Sequence, residues 1–154
     1  MRDEAPSGSS VLTLVEDHEL DMLGVPALGS EVRARGMAWY HLPIVDVAPP
    51  DERIENAWCK AGPEVREVLQ ASGRVLVHCR GGLGRAGTVA ASLLVELGAG
   101  ADDAIRRVRT ARLGAKETSA QERYVRGLGA AYNLPVSNST RTTTTTTPST
   151  PLGA

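Results

Sequence analysis

The chain has 154 residues, 42% of them apolar, which is enough for one continuous core and points to a single domain. Seventeen basic residues stand against eighteen acidic ones, so bulk attraction to nucleic acid or an anionic membrane is not indicated and any anion recognition must be local. Two cysteines and three scattered histidines make neither a disulfide framework nor a structural zinc site, and no stretch nears the roughly 20 apolar residues of a membrane span. A soluble, cytoplasmic protein with reduced thiols and no metal is expected.

Residues 1–9 read as a flexible N-terminus, and the run Ser10 to Val15 as a buried strand. Short helices are expected from Glu16 to Leu23, closed by Gly24, and from Ser30 to Arg35, closed by Gly36. Met37 to Leu42 reads as the next strand, and Pro43 with Pro49-Pro50 marks the following segment, which carries Asp46, as a loop. Asp51 is placed to cap a helical run to Lys60; Gly62-Pro63 predicts an interruption, with a second piece from Pro63 to Gln70. Arg74 to His78 is the clearest strand, Ala86 to Leu97 an apolar central helix, Asp102 or Asp103 to Leu113 an amphipathic helix, and Thr118 to Ala131 the last one.

Strands alternating with helices predict a three-layer α/β sandwich over residues 10–134 with a small, mainly parallel sheet of three or four strands. From 135 to 154 the composition collapses into Ser, Thr, Asn and Pro, including an unbroken Thr142 to Thr147, and too little apolar area remains to offset ordering entropy. A disordered tail is expected there.

The chemistry is concentrated in one loop. A strand ending in His78 is followed at once by Cys79, then Arg80-Gly81-Gly82-Leu83-Gly84, then Arg85 and a helix. Glycines let successive amide N–H groups turn inward into an anion-binding nest, and the helix adds its positive end. The same donors favour a thiolate, and cysteines in such settings titrate at about 3.5 to 7.5 instead of about 8.5. Arg85 supplies a planar fork suited to two phosphate oxygens.

The run Gly82 to Gly87 also spells a dinucleotide fingerprint, but the acidic residues near position 102 start a helix where that motif needs the end of a second strand. An ATP-binding loop is excluded because Arg85-Ala86 stands where Lys-Ser/Thr is needed. Reading Cys79 as merely a small buried residue leaves the glycine spacing and Arg85 unexplained.

His-Cys, five residues and Arg, with Gly81-Gly82-Leu83-Gly84-Arg85 inside it, resembles the cysteine-dependent protein tyrosine and dual-specificity phosphatases, especially the cyclin-dependent kinase inhibitor 3 type. The upstream segment His41-Leu42-Pro43-Ile44-Val45-Asp46, with Asp51 after it, is similar to a second motif of that branch, and the likeness covers roughly residues 10 to 133. The resemblance implies that Cys79 attacks phosphorus, that Arg85 and the amides of Arg80 to Gly84 bind the phosphoryl oxygens, and that Asp46 protonates the leaving group. Without it, Asp46 also reads as the start of a turn before the prolines. His78 corresponds to a histidine that supports the thiolate by hydrogen bonding, and Gln121 to one that positions water, although Thr118 and Gln121 equally have the spacing of a capping box. No cofactor is implied, and the partner is a phosphorylated protein.

Two departures bear on function. Such phosphatases usually place Ser or Thr after the Arg to help the sulfur leave, where this chain has Ala86. They also generally carry strands ahead of the segment like Val11 to Val15, so an exposed sheet edge is expected. A phosphopeptide-binding module with weak turnover is therefore the alternative of a different class. A phosphoinositide or RNA 5′-phosphatase is a further one, disfavoured for the lipid because the loop holds Arg80 and no Lys.

Overall fold

The computed structural model describes residues 8–81, 84–113 and 118–132. Three strands, β1 (Ser9–Thr13), β2 (Ala38–His41) and β3 (Arg74–His78), form a parallel sheet in the order β2-β1-β3. The described residues also form six helices: α1 (Asp17–Met22), α2 (Leu28–Ala34), α3 (Glu52–Gln70), α4 (Arg85–Glu96), α5 (Ala101–Ala111) and α6 (Ser119–Tyr132). The expected α/β sandwich with a small parallel sheet is what the chain forms. The expected tail from 135 to 154 lies outside the described residues.

Alternation along the strands explains the layers. Leu12, Tyr40, Val75 and Val77 turn to the face covered by α3 and α4, where they meet Ile54, Val65, Val89 and Leu93 in the main core. Trp39 turns to the other face and packs on α2, so closely that a methyl at Gly29 would lie 2.4 Å from its ring. Leu12 and Val65 are wholly buried, and truncating such a side chain to Ala costs about 2–5 kcal/mol. A second cluster, Ala91, Val95, Ala104, Ile105 and Val125, fastens α5 and α6 to α4. Central position thus suits the apolar, small-residue composition of α4.

The predicted break in α3 does not occur. One helix runs through Pro63, because Ile54, Ala61, Val65 and Val68 keep a single buried stripe across the junction. Trp58 before the proline and Arg66 after it both donate to the Glu96 carboxylate, at 2.7 and 2.8 Å, and so tie the two halves to α4. Tertiary contacts here outweigh the single hydrogen bond that a proline removes. Asp51 caps this helix as expected, its carboxylate accepting from Ile54 N at 3.1 Å. On the open side of the sheet β3 is an edge strand, and Leu76 is 60% exposed.

Candidate active site

The sheet fixes where the loop begins. Thr13 is registered against His78, and Leu14 N donates to the His78 carbonyl at 3.0 Å, so the chain leaves β3 at Cys79 from an anchored point. It re-enters regular structure at Arg85, the first residue of α4, with Gly84 as its cap. A side chain at Gly84 would stand 3.3 Å from Gln121 Oε1, so any larger residue there would press on the Gln121 amide. Arg80 and Gly81 are exposed; Gly82 and Leu83, also expected to line the loop, lie outside the described residues.

Arg85 is buried although always charged, and its partners account for this. Nη1 and Nη2 donate to the two oxygens of Glu19 at 2.7 and 2.8 Å, and Nη1 donates again to the Ile44 carbonyl at 3.0 Å. Nε, equally buried, has no hydrogen-bond partner among the described residues. A buried donor left open costs about 1–3 kcal/mol, so this one is suited to a further acceptor. The fork expected to face phosphate is thus half committed: its end is held by α1, and its Nε side remains.

Glu19 and Arg85 hold each other ionised. The hydrogen bond from Arg85, against the opposing effect of burial, brings the Glu19 pKa from 4.5 down to about 2. Arg85 is pushed up, first by that hydrogen bond and further by the charges of Glu19, Asp46 and Cys79. Cys79 therefore lies within electrostatic range of the guanidinium. Asp46 approaches it from the loop after β2, with Oδ1 3.6 Å from Nε and its carboxylate largely exposed.

The loop carrying Asp46 is held from α6. Val47 N donates to Asp46 Oδ1 at 2.9 Å, and Val47 itself has φ 58°, a left-handed conformation that a β-branched residue adopts only under constraint. The constraint comes from Thr118 Oγ1, which donates to the Val47 carbonyl at 3.1 Å, and Gln121 Nε2, which donates to the Ala48 carbonyl at 3.0 Å. Gln121 is wholly buried and also completes the capping box expected from its spacing: Thr118 N donates to Oε1 at 2.9 Å, and Gln121 N donates to Thr118 Oγ1 at 3.3 Å. Its amide therefore binds the Asp46 loop as well as the start of α6.

His78 is paired behind the loop, its Nε2 lying 2.7 Å from Thr13 Oγ1, which also accepts from Trp39 Nε1 at 2.7 Å. Burial pushes the His78 pKa down, opposed by a backbone hydrogen bond to Cys79. Ala86 is buried in the main core, and the nearest downstream hydroxyl, Thr88 Oγ1, is committed to the Gly84 carbonyl at 2.8 Å. A cleft of about 410 Å³ reaches Cys79 along the open side of β3, past Leu76, Arg80 and Ala86. Neither cysteine is in a disulfide.

Of the residues singled out from the sequence, the structure brings Asp46 to 3.6 Å from Arg85, Cys79 within electrostatic range of it, and Gln121 under the Asp46 loop. Sequence reasoning missed Glu19, which looks like any acidic residue of a short exposed helix. The only trace is its spacing from Glu16, whose backbone N donates to Glu19 Oε2 at 2.8 Å. Thr13 and Trp39 read simply as strand residues.

The fold agrees with that of solved relatives of the chain. Residues 9–125 match the family model of the Swiss Army Knife protein DSP-PTPase phosphatase domain. The chain is 36% identical over 112 residues to cyclin-dependent kinase inhibitor 3 of Rattus norvegicus, covering 70% of this chain and 50% of that protein. It is 30% identical over 125 residues to protein tyrosine phosphatase PRL-1 of Leishmania major, covering 73% and 71%. Among solved structures, kinase associated phosphatase, studied with its catalytic site cysteine replaced by serine, superposes with a TM-score of 0.69 at 31% identity, over 80% of this chain and 71% of that one. The chain thus spans about half the length of the rat relative it matches. With the family model covering most of its length, the chain belongs to the dual-specificity and protein tyrosine phosphatase (DSP-PTPase) family.

Proposed function

We propose that the protein hydrolyses phosphate monoesters on phosphorylated proteins through a cysteinyl-phosphate intermediate. The observation that carries this is the buried Nε of Arg85, which has no hydrogen-bond partner among the described residues and lies 3.6 Å from Asp46 Oδ1, while Glu19 fixes the rest of the guanidinium. A phosphoryl oxygen is an acceptor that suits this donor. Cys79 forms the S–P bond as the ester P–O bond breaks, and Asp46 gives its proton to the departing oxygen. Water then attacks the phosphocysteine with Asp46 taking its proton, and inorganic phosphate and the thiolate are released. Sulfur supplies the nucleophile and Arg85 the charge stabilisation, so no cofactor is needed for these steps.

Para-nitrophenyl phosphate and a phosphotyrosine peptide test this. Cys79→Ser is expected to abolish turnover of both. Asp46→Asn should slow the peptide by about 10² or more, and para-nitrophenyl phosphate, whose leaving group needs less help, by much less. Full activity in Cys79→Ser would exclude the reading. A second reading, a phosphopeptide-binding module with weak turnover, is favoured by the buried Ala86 and the committed Thr88 hydroxyl. In that case the phosphopeptide binds in a one-to-one complex and survives incubation.

A further inference from the structure

We infer that Trp39 and Thr13 are positioning residues for the nucleophile, acting on Cys79 through His78 by a chain of hydrogen bonds with one fixed direction. The inference rests on the assignment of Cys79 as nucleophile and adds two residues, on different strands, whose role no motif marks.

The direction follows from donor counting. The indole N–H of Trp39 can only donate, and it lies 2.7 Å from Thr13 Oγ1. Thr13 is wholly buried, and its hydroxyl has one proton to place. Among the described residues the remaining partner at hydrogen-bond distance is His78 Nε2, at 2.7 Å. If Nε2 carried a proton, the Thr13 hydrogen would be left without an acceptor in a dry site, which is costly. Thr13 therefore donates to Nε2, and the neutral ring carries its proton on Nδ1.

That proton has a place to go. The Cys79 backbone raises the His78 pKa, the direction that donation from Nδ1–H to the Cys79 carbonyl gives, and we take that bond as the next link. In a trans peptide the carbonyl and the next N–H point in opposite directions. Fixing the Cys79 carbonyl on the imidazole consequently fixes the Arg80 N–H, the first amide of the anion-binding loop, and with it the start of the loop around the sulfur. The parallel register makes the chain possible: Thr13 sits opposite His78 on one side and next to the Trp39 strand on the other. Trp39 is in turn held by stacking on His41, with ring centroids 5.2 Å apart, and by Arg33 5.1 Å over its ring.

The test uses the full chain with Cys59→Ser, so that Cys79 is the one thiol, reached by reagent through the cleft beside β3. Nitrogen-15 spectra of the histidines should show His78 with its proton on Nδ1 in the wild type. In Thr13→Val, which keeps the shape and removes the hydroxyl, that tautomer should no longer dominate. Alkylation of Cys79 by iodoacetamide near neutral pH should then slow by roughly three- to tenfold, the loss of about one hydrogen bond. Trp39→Phe should give a smaller effect in the same direction, and Thr13→Ser should restore the wild-type rate and spectrum. In turnover the loss should fall on kcat and leave KM unchanged. A His78 proton on Nε2 in the wild type, or Thr13→Val and Trp39→Phe alkylating at the wild-type rate, overturns the inference. Should Thr13→Val not fold, the wild-type tautomer and Trp39→Phe still decide. Tautomer and alkylation are read without turnover, so a protein that hydrolyses nothing would sink the phosphatase reading and leave these measurements intact.

Discussion

Replacing Glu19 by Gln mimics its protonated state inside the pair with Arg85, and its effect can be worked out in advance. Gln keeps one acceptor oxygen for Arg85 but turns an NH₂ group toward the other donor, so a buried guanidinium loses half of its bidentate partner. Breaking a buried ion pair by removing one member costs about 3–5 kcal/mol. The Glu19 pKa gives a second measure: a fall from 4.5 to about 2 corresponds to roughly 3 kcal/mol at about 1.4 kcal/mol per unit. Because the folded-state value is the lower one, this stability is present in full above pH 4.5 and is lost as pH falls through about 2. Urea denaturation of both proteins between pH 7 and pH 2 reads it. Glu19→Gln should be less stable by about 3 kcal/mol at pH 7, and the gap should close as the wild type acidifies. Turnover at pH 7 should fall as well, since Arg85 is no longer aimed. A gap that is absent at neutral pH, or unchanged at pH 2, would refute the claim that this pair anchors the site.

Two further substitutions probe other parts of the site. Ala86→Ser places a hydroxyl at the first turn of α4, where a departing sulfur needs a donor; wild type should release a burst of about one product per enzyme before a slower steady state, and Ala86→Ser should raise the steady rate with the burst diminished. Linear progress curves from the wild type count against slow breakdown of the intermediate. Gly29→Ala puts a methyl 2.4 Å from the Trp39 ring, so thermal denaturation should show a loss of about 1–3 kcal/mol from overpacking. An unchanged Tm means that α2 moves away from the sheet more freely than the packing implies.

How much of this was legible in the sequence follows from the range of each interaction. The turn into α4 was readable because a strand, glycines, Cys79 and Arg85 are contiguous, and the chemistry proposed for Cys79 rests on that same local spacing. Asp51 as a cap and Thr118 with Gln121 as a capping box were readable for the same reason. The continuity of α3 through Pro63 was not, because it depends on Glu96 of α4 binding Trp58 and Arg66, some thirty to forty positions away in the chain. Glu19 was missed for a similar reason: its partner is 66 residues distant, and its three-residue spacing from Glu16 marks a helix start, not a partner for Arg85. The pairing of Thr13 with Trp39 and His78 needed the register of three strands, which side-chain alternation alone does not supply.

The most direct test of the chemistry is to quench the enzyme with acid within the first turnover of a phosphopeptide and map the phosphoryl group by mass spectrometry. The group is predicted on the peptide containing Cys79, and missing from Cys79→Ser. Release of inorganic phosphate with no phosphoryl group ever found on that sulfur, by a variant lacking it as readily as by the wild type, would contradict a cysteinyl-phosphate route.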